Sequence, residues 1–251
     1  MWFINFNPLL LQKVWKMTTP KPEIGNIISE AYQYWMRTLP FQLLFSVLYF
    51  TIFMFSSMYA FRYYGLFEEI LKIQDLFYSD TKVFVKKYSE IMKTENAQYF
   101  AMVVMVIKSV IFPLNIGFLK IYRKLDLGEP PHISDLFAGF RGHYFFLFVI
   151  YALFWNIINN YLLILFIIWI PMLLLTPSLV FFKNYNFFQA FRISVQVFRN
   201  NILLFIMATL ASIIISYSGL VMFFFGIFVT FPFWNAVIYV LYKHFVADFQ
   251  E

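Results

Sequence analysis

Polar residues in this chain gather between long stretches that carry no formal charge. Residues 38–61, 142–182 and 200–242 hold no Asp, Glu, Lys or Arg, and residues 97–119 hold only Lys108. A helix needs about 20 apolar residues, at about 1.5 Å rise each, to cross about 30 Å of hydrocarbon. The windows 38–61 and 97–119 each fit one such helix, and the other two windows each fit two. Turn-forming residues near their middles, Asn159-Asn160 and Ser216-Tyr217-Ser218-Gly219, mark the expected breaks. The pattern therefore predicts six helices at about 40–61, 97–120, 144–158, 161–182, 201–216 and 219–242. The third and fifth are short and are expected to be extended by the segments before them. Exposed irregular backbone is not tolerated in lipid, so helices are the default, and no run of alternating polarity points to a barrel.

A mixed polar and aromatic segment precedes each odd-numbered span. The first is Ile28-Ser29-Glu30-Ala31-Tyr32, ending at Arg37; the second is Ile133-Ser134-Asp135-Leu136-Phe137, ending at Arg141; the third is Phe187-Phe188-Gln189-Ala190-Phe191, ending at Arg199. Ile28, Ala31, Tyr34 and Trp35 fall at helical spacing, which suits an amphipathic helix lying in the membrane interface. Even-numbered spans contain prolines, namely Pro113, then Pro171 and Pro177, then Pro232, with basic Lys120 and Lys243 beyond the first and last. The expected fold class is thus an all-α integral membrane protein: six transmembrane helices as three hairpins, each preceded by an interfacial amphipathic helix. Residues 1–251 form a single polytopic domain, and the charged stretch 62–96 is a loop inserted in the first hairpin.

Composition strengthens this reading. Hydrophobic residues make up 62% of the chain and charged residues 13%, against about 25% charged in an ordinary soluble domain. So few charges cannot cover a water-facing surface, which excludes a soluble globular enzyme. Cysteine is absent, which removes disulfides and thiolate chemistry. Residues 1–12 are apolar but too short to span, and with Trp2, Trp15, Lys13 and Lys16 they read as an interfacial anchor. Lys and Arg counts give orientation. Twelve basic residues lie on the side of the termini and six in the loop 62–96, which predicts both termini in the cytoplasm. That loop also carries six acids and, with Leu66, Ile70, Leu71, Ile73, Leu76 and Phe77 at helical spacing, reads as helical. It suits a solvated cap or, preferably, a docking element.

The three-unit plan, with Ala190-Phe191-Arg192-Ile193-Ser194 before the fifth span, resembles a broad group of uncharacterised bacterial six-span proteins. The group includes the membrane region fused to some glycerophosphoryl diester phosphodiesterases. The resemblance implies a fold and a location in the bacterial cytoplasmic (inner) membrane. It implies no catalytic residue, because the phosphodiesterase chemistry belongs to a separate soluble domain.

Candidate chemistry is sparse. Lys108 sits twelfth of 23 residues in 97–119. A central Lys costs about 2.5–3.5 kcal/mol, and the twelve Leu, Ile, Phe and Val of that window return on the order of 5 kcal/mol, so the helix still inserts. Membrane-embedded ionisable groups are functional hypotheses by default, and Lys108 heads a candidate polar site with Asn115, Asn156 and Asn235. Structural hydrogen bonding between helices is the competing role for the asparagines. Arg37, Arg123, Lys124, Arg141, Arg192 and Arg199 are candidate contacts for lipid headgroups. No hydrolase, metalloprotease, phosphate-loop or dinucleotide motif occurs. No cofactor, metal or nucleic-acid partner is expected. The expected function is a non-enzymatic accessory or structural subunit of a larger membrane complex, with membrane lipids and other membrane-protein subunits as partners. The alternative is a binder or transporter of a lipid or hydrophobic small molecule, using a groove near Lys108.

Overall fold

The computed structural model describes residues 22–161, 166–221 and 225–247. The expected interfacial anchor at residues 1–12 lies outside them, as do Lys13, Lys16 and Lys21. Every regular element among the described residues is helical: α1 (Ile24–Arg37), α2 (Leu39–Tyr63), α3 (Leu66–Ile73), α4 (Leu76–Ser79), α5 (Thr81–Ile91), α6 (Glu95–Ile111), α7 (Pro113–Asp126), a 3₁₀ helix (Ile133–Phe140), α8 (Tyr144–Tyr161), α9 (Phe166–Leu173), α10 (Thr176–Lys183), α11 (Phe187–Asn200), α12 (Ile202–Ser218), a short 3₁₀ turn (Gly219–Val221), α13 (Ile227–Thr230) and α14 (Phe233–Phe245). Among the described residues three helices are long and apolar enough to cross a membrane: Leu39–Tyr63, Glu95–Asp126 and Ile202–Val221. A fourth is reached if the 3₁₀ helix and α8, which meet at 72°, count as one span. The described residues thus form a helical protein with helices long and apolar enough to cross a membrane.

Among the described residues six continuous spans are not seen, and prolines supply part of the reason. The expected helix 161–182 is represented by Ile167–Lys183, with Pro171 inside α9 and Pro177 in the first turn of α10. Proline removes an N–H donor and clashes with the preceding turn, so the two halves separate at Leu174 and Leu175. The expected helix 219–242 is likewise divided ahead of Pro232 into α13 and α14. The turn expected at Asn159-Asn160 is also absent, since α8 runs through both residues. Neither glycine nor proline stands there to break the helix, and asparagine alone costs only a fraction of a kcal/mol, on the order of 0.7.

Two compact units make up the chain. Of the described residues, one takes 22–42, Tyr122–Pro130 and those from 166 on; the other takes Leu43–Ile121 and 131–161. In the first unit α14 is enclosed on nearly every side: Phe233, Asn235, Ala236, Val237, Tyr239, Val240, Leu241 and Tyr242 are all buried. Helix α1 packs on it through Ile27, Ala31 and Tyr34; of the face expected at Ile28, Ala31, Tyr34 and Trp35, Ala31 and Tyr34 are buried, whereas Ile28 and Trp35 are half-buried. In the second unit α6 packs on α8, with Ser109 at the contact; Ala97 and Ile111 of α6 are also buried. The 3₁₀ helix meets the first turns of α7 at a glycine-lined contact. A Cβ on Gly117 would lie 2.3 Å from the Leu136 carbonyl oxygen, and one on Gly139 would lie 2.3 Å from that of Pro113. No larger residue fits at either position without moving backbone.

Within this framework the segments that precede the odd spans share a role. Ala31, Leu136 and Ala190, equivalent in the three segments, are each fully buried. Each segment lies against a proline-interrupted stretch. Trp35 Nε1 of α1 donates to the Val229 carbonyl at 2.9 Å, ahead of Pro232. Gly139 of the 3₁₀ helix abuts the Pro113 carbonyl. Ser194 of α11 bridges the gap between α9 and α10: its hydroxyl donates to the Met172 carbonyl at 2.7 Å and accepts from the Leu175 N–H at 3.3 Å. Side chains that re-satisfy freed main-chain groups are what makes proline tolerable in apolar surroundings.

Candidate functional site

The equivalent segments also carry a repeated ion pair. Glu30 and Asp135 occupy the same place, the acid of Ile-Ser-Glu and Ile-Ser-Asp. Lys243 Nζ lies 2.8 Å from Glu30 Oε1, and Lys120 Nζ lies 2.7 Å from Asp135 Oδ1. In both cases the lysine follows the proline of an even-numbered helix by at least one turn. The Asp135 side chain is 3% exposed, and its second oxygen accepts the His132 N–H at 2.9 Å. In the third segment Gln189 replaces the acid and, through a reciprocal bond with Asn186, caps α11 instead.

Around Lys243 the pair grows into a network confined to the first unit. Three helices each contribute a tyrosine and an ionisable residue four positions apart: Glu30 and Tyr34 on α1, Tyr122 and Asp126 on α7, Tyr239 and Lys243 on α14. This spacing places both members on one helix face. Asp126 accepts from the Tyr34 hydroxyl, from the Tyr239 hydroxyl at 2.5 Å and from Lys243 at 3.3 Å. Lys243 also donates to the Tyr34 hydroxyl at 2.7 Å, and His244 Nε2 stands 2.7 Å from Glu30 Oε2. A carboxylate only accepts, so that nitrogen bears the proton. The three tyrosine rings contact one another at centroid distances of 5.2–5.5 Å, and Tyr122 Oη accepts from Gln42 Nε2 at 3.0 Å.

Electrostatics follow from this geometry. Burial alone would raise Glu30, but the hydrogen bonds from His244 and Lys243 outweigh it and hold the carboxyl below its usual range. Burial would lower Lys243, yet its bonds to Glu30 and Tyr34 win and push it up. Burial and the Asp126 carboxylate push the Tyr34 phenol up. Tyr34, Tyr239, Lys243 and His244 each meet an acceptor inside the network, so the arrangement clasps three helix ends together. Sequence reasoning did not find it. The available signal was the recurrence of tyrosine and a charge at i, i+4 near three helix ends.

The residues singled out in the sequence do not assemble into one site. Lys108 is exposed on α6, with its ammonium 5.7 Å from the centre of the Phe53 ring, and no carboxylate among the described residues pairs with it. Asn156 Nδ2 donates to Ser109 Oγ at 3.1 Å across the contact between α6 and α8. Asn115 turns back to the Phe112 carbonyl at 3.0 Å, next to Pro113. Asn235 is buried inside the first unit. Both amides with a named partner thus serve structure. Arg37, Arg141, Arg192 and Arg199 are exposed, while Arg123 and Lys124 are half-buried. The loop 62–96 folds as α3, α4 and α5, and Asp80 caps α5 by accepting from the Lys82 and Val83 N–H groups, both at 3.1 Å.

Two grooves accompany these features. In the second unit, Phe55, Ser56, Tyr59, Ala60, Tyr63 and Tyr64 of α2 and the loop after it face Val103 and Ile107 of α6 around about 680 Å³. In the first unit, a groove of about 420 Å³ runs along Ile28, Tyr32 and Trp35 of α1, facing Ile215, Thr230 and Phe233. Among the described residues no group of three or more His, Asp or Glu side chains could hold a metal ion. Compared with family models, with curated proteins and with solved structures, the chain matches none.

Proposed function

We propose that this chain is a six-span protein of a bacterial cytoplasmic membrane, with both termini cytoplasmic, and a non-enzymatic accessory subunit of a larger membrane complex. The three hairpins are each led by an amphipathic helix. The stepwise pattern of contacts supports that repeat: the leading helix of the second hairpin rests on the proline break of the first, that of the third on the second, and α1 on the last.

The observation that carries the subunit reading is the bareness of α2. Only 17% of its most apolar window is buried, against 44% for Glu95–Asp126 and 33% for Ile202–Val221. Phe55, Tyr59 and Tyr63 stand in line on it, at 74%, 74% and 73% exposed. Aromatic residues are enriched where proteins meet, and this stripe borders a concave surface rather than a smooth lipid-facing one. Purification from native membranes in mild detergent tests the reading: a companion protein at fixed stoichiometry is expected, and a persistently solitary monomer overturns it.

A second reading, a binder of lipid or another hydrophobic molecule, draws support from the same groove. Its volume of about 680 Å³ lies within the range of ligand pockets, about 300–1,000 Å³. Native mass spectrometry would then detect a retained lipid that disappears in Lys108→Leu.

A further inference from the structure

The geometry points to Lys108 as the recognition residue of the groove between α2 and α6, and to its occupant as a transmembrane helix of a different protein that carries a carboxylate at mid-membrane depth. This inference rests on the accessory-subunit reading and specifies the partner's chemistry.

The ammonium lies at one end of the groove. Ile107 lines the groove and Lys108 follows it, while Phe53, whose ring the ammonium approaches to 5.7 Å, precedes the lining residue Phe55 on α2. A cation over an aromatic face gains about 0.5–2 kcal/mol. That does not offset the several kcal/mol that removing an ammonium from water costs in proteins, so an anion is required for a dry site. The sources of that anion can be narrowed on the page.

Headgroups are out of reach. Along the helix Glu95–Asp126, Lys108 is ten residues from Gln98 and twelve from Lys120, which is about 15 and 18 Å of axial rise. A flexible four-carbon stem covers less than half of either distance. Among the described residues no carboxylate pairs with it either. The polar side chains nearest in sequence are engaged elsewhere, Ser109 with the Met105 carbonyl and Asn156, and Asn115 with the Phe112 carbonyl. A second copy of this chain could not supply the charge, because no Asp or Glu falls within residues 38–61, 97–119, 142–182 or 200–242. What complements an apolar, aromatic-walled groove with a cation exposed at its end is an apolar helix with one carboxylate at matching depth. A pair inside hydrocarbon is screened little by salt and selects its partner strongly, because a helix without the acid leaves the lysine unpaired.

The full-length protein in phosphatidylcholine vesicles tests this with synthetic Leu/Ala transmembrane peptides, flanked by Lys and labelled for energy transfer. One peptide carries a central Glu, one a central Gln, and one a Glu moved to the membrane boundary. We expect the central-Glu peptide to associate at least tenfold more tightly than either control, the preference to persist in Lys108→Arg, and to vanish in Lys108→Met. Equal binding of Glu and Gln peptides, or a preference that survives in Lys108→Met, overturns the inference. So does loss of the preference when phosphatidylglycerol replaces phosphatidylcholine, since that would make lipid headgroups the ligand. If the protein purifies with companions but shows no Glu preference, this inference fails alone; a solitary monomer in native membranes fails the subunit reading whatever the peptides do.

Discussion

Glu30 and Asp135 show how the same pair of charges acquires different weight from its surroundings. The Glu30 and Lys243 side chains are 25% and 27% exposed, whereas Asp135 is almost fully covered. Removing Lys120 therefore strands a buried charge. Lys120→Met should lower stability by about 3 kcal/mol, the lower end for breaking a buried pair, while Glu30→Gln should cost about 1–3 kcal/mol. Thermal unfolding in detergent, followed by circular dichroism, measures both. Stability should also depend on pH with a defined sign. The Glu30 carboxyl is lowered in the fold, so its contribution is complete above the usual carboxylate range and disappears as pH falls through the lowered value. Lys243 is raised, so its contribution is complete below the usual lysine range and is lost as pH climbs past its folded value. A melting-temperature profile should be flat at neutral pH and fall at acid pH, with the acid limb weakened in Glu30→Gln. The two acids were legible as members of similar segments, but their partners were not. Lys243 lies 209 positions from Tyr34 and 117 from Asp126, and no local pattern encodes a contact at that separation.

At the scale of elements, periodicity and lack of charge located the first two spans closely: 40–61 and 97–120 were expected, and Leu39–Tyr63 and Glu95–Asp126 are found. Breaks were less legible. Asparagines suggested a turn that α8 ignores, while interruptions came just ahead of Pro177 and at Pro232, where Ser194 and Trp35 bond to the main chain. Ser194, the last residue of the Ala-Phe-Arg-Ile-Ser segment, is one such side chain, which gives that sequence a packing rationale independent of any activity. Close contact between helices makes a further prediction. Gly117→Ala must push against the Leu136 main chain and should cost about 1–3 kcal/mol, as overpacking does. Gly25→Ala meets nothing within 4 Å and should be neutral or stabilise by up to about 1 kcal/mol. Chemical denaturation of the two variants side by side checks the contrast; equal effects would mean the glycine contact does not constrain the fold.

For the whole molecule the decisive quantity is the sidedness of charge. The described structure supplies helices able to cross a bilayer, and the distribution of Lys and Arg gives the direction we propose. Absence of cysteine makes the topology directly measurable, because any introduced thiol is unique. A cysteine at Lys87, in α5 of the loop 62–96, should react with a membrane-impermeant maleimide in spheroplasts. One at Arg199 should react only after permeabilisation. Reversal of that order would overturn the orientation and with it the count of six crossings.

The bonds from α1 to the last two helices carry a consequence in time. Trp35 and Val229 are 194 positions apart, so at about 5–20 residues per second the ribosome needs roughly ten to forty seconds between making one and making the other. Throughout that interval the apolar side of α1, with Ile27, Ala31 and Tyr34, has no finished partner in its own chain. A nascent protein that stops short of α14 would leave that surface without the helix that covers most of it, a mark by which quality control could distinguish incomplete chains from complete ones.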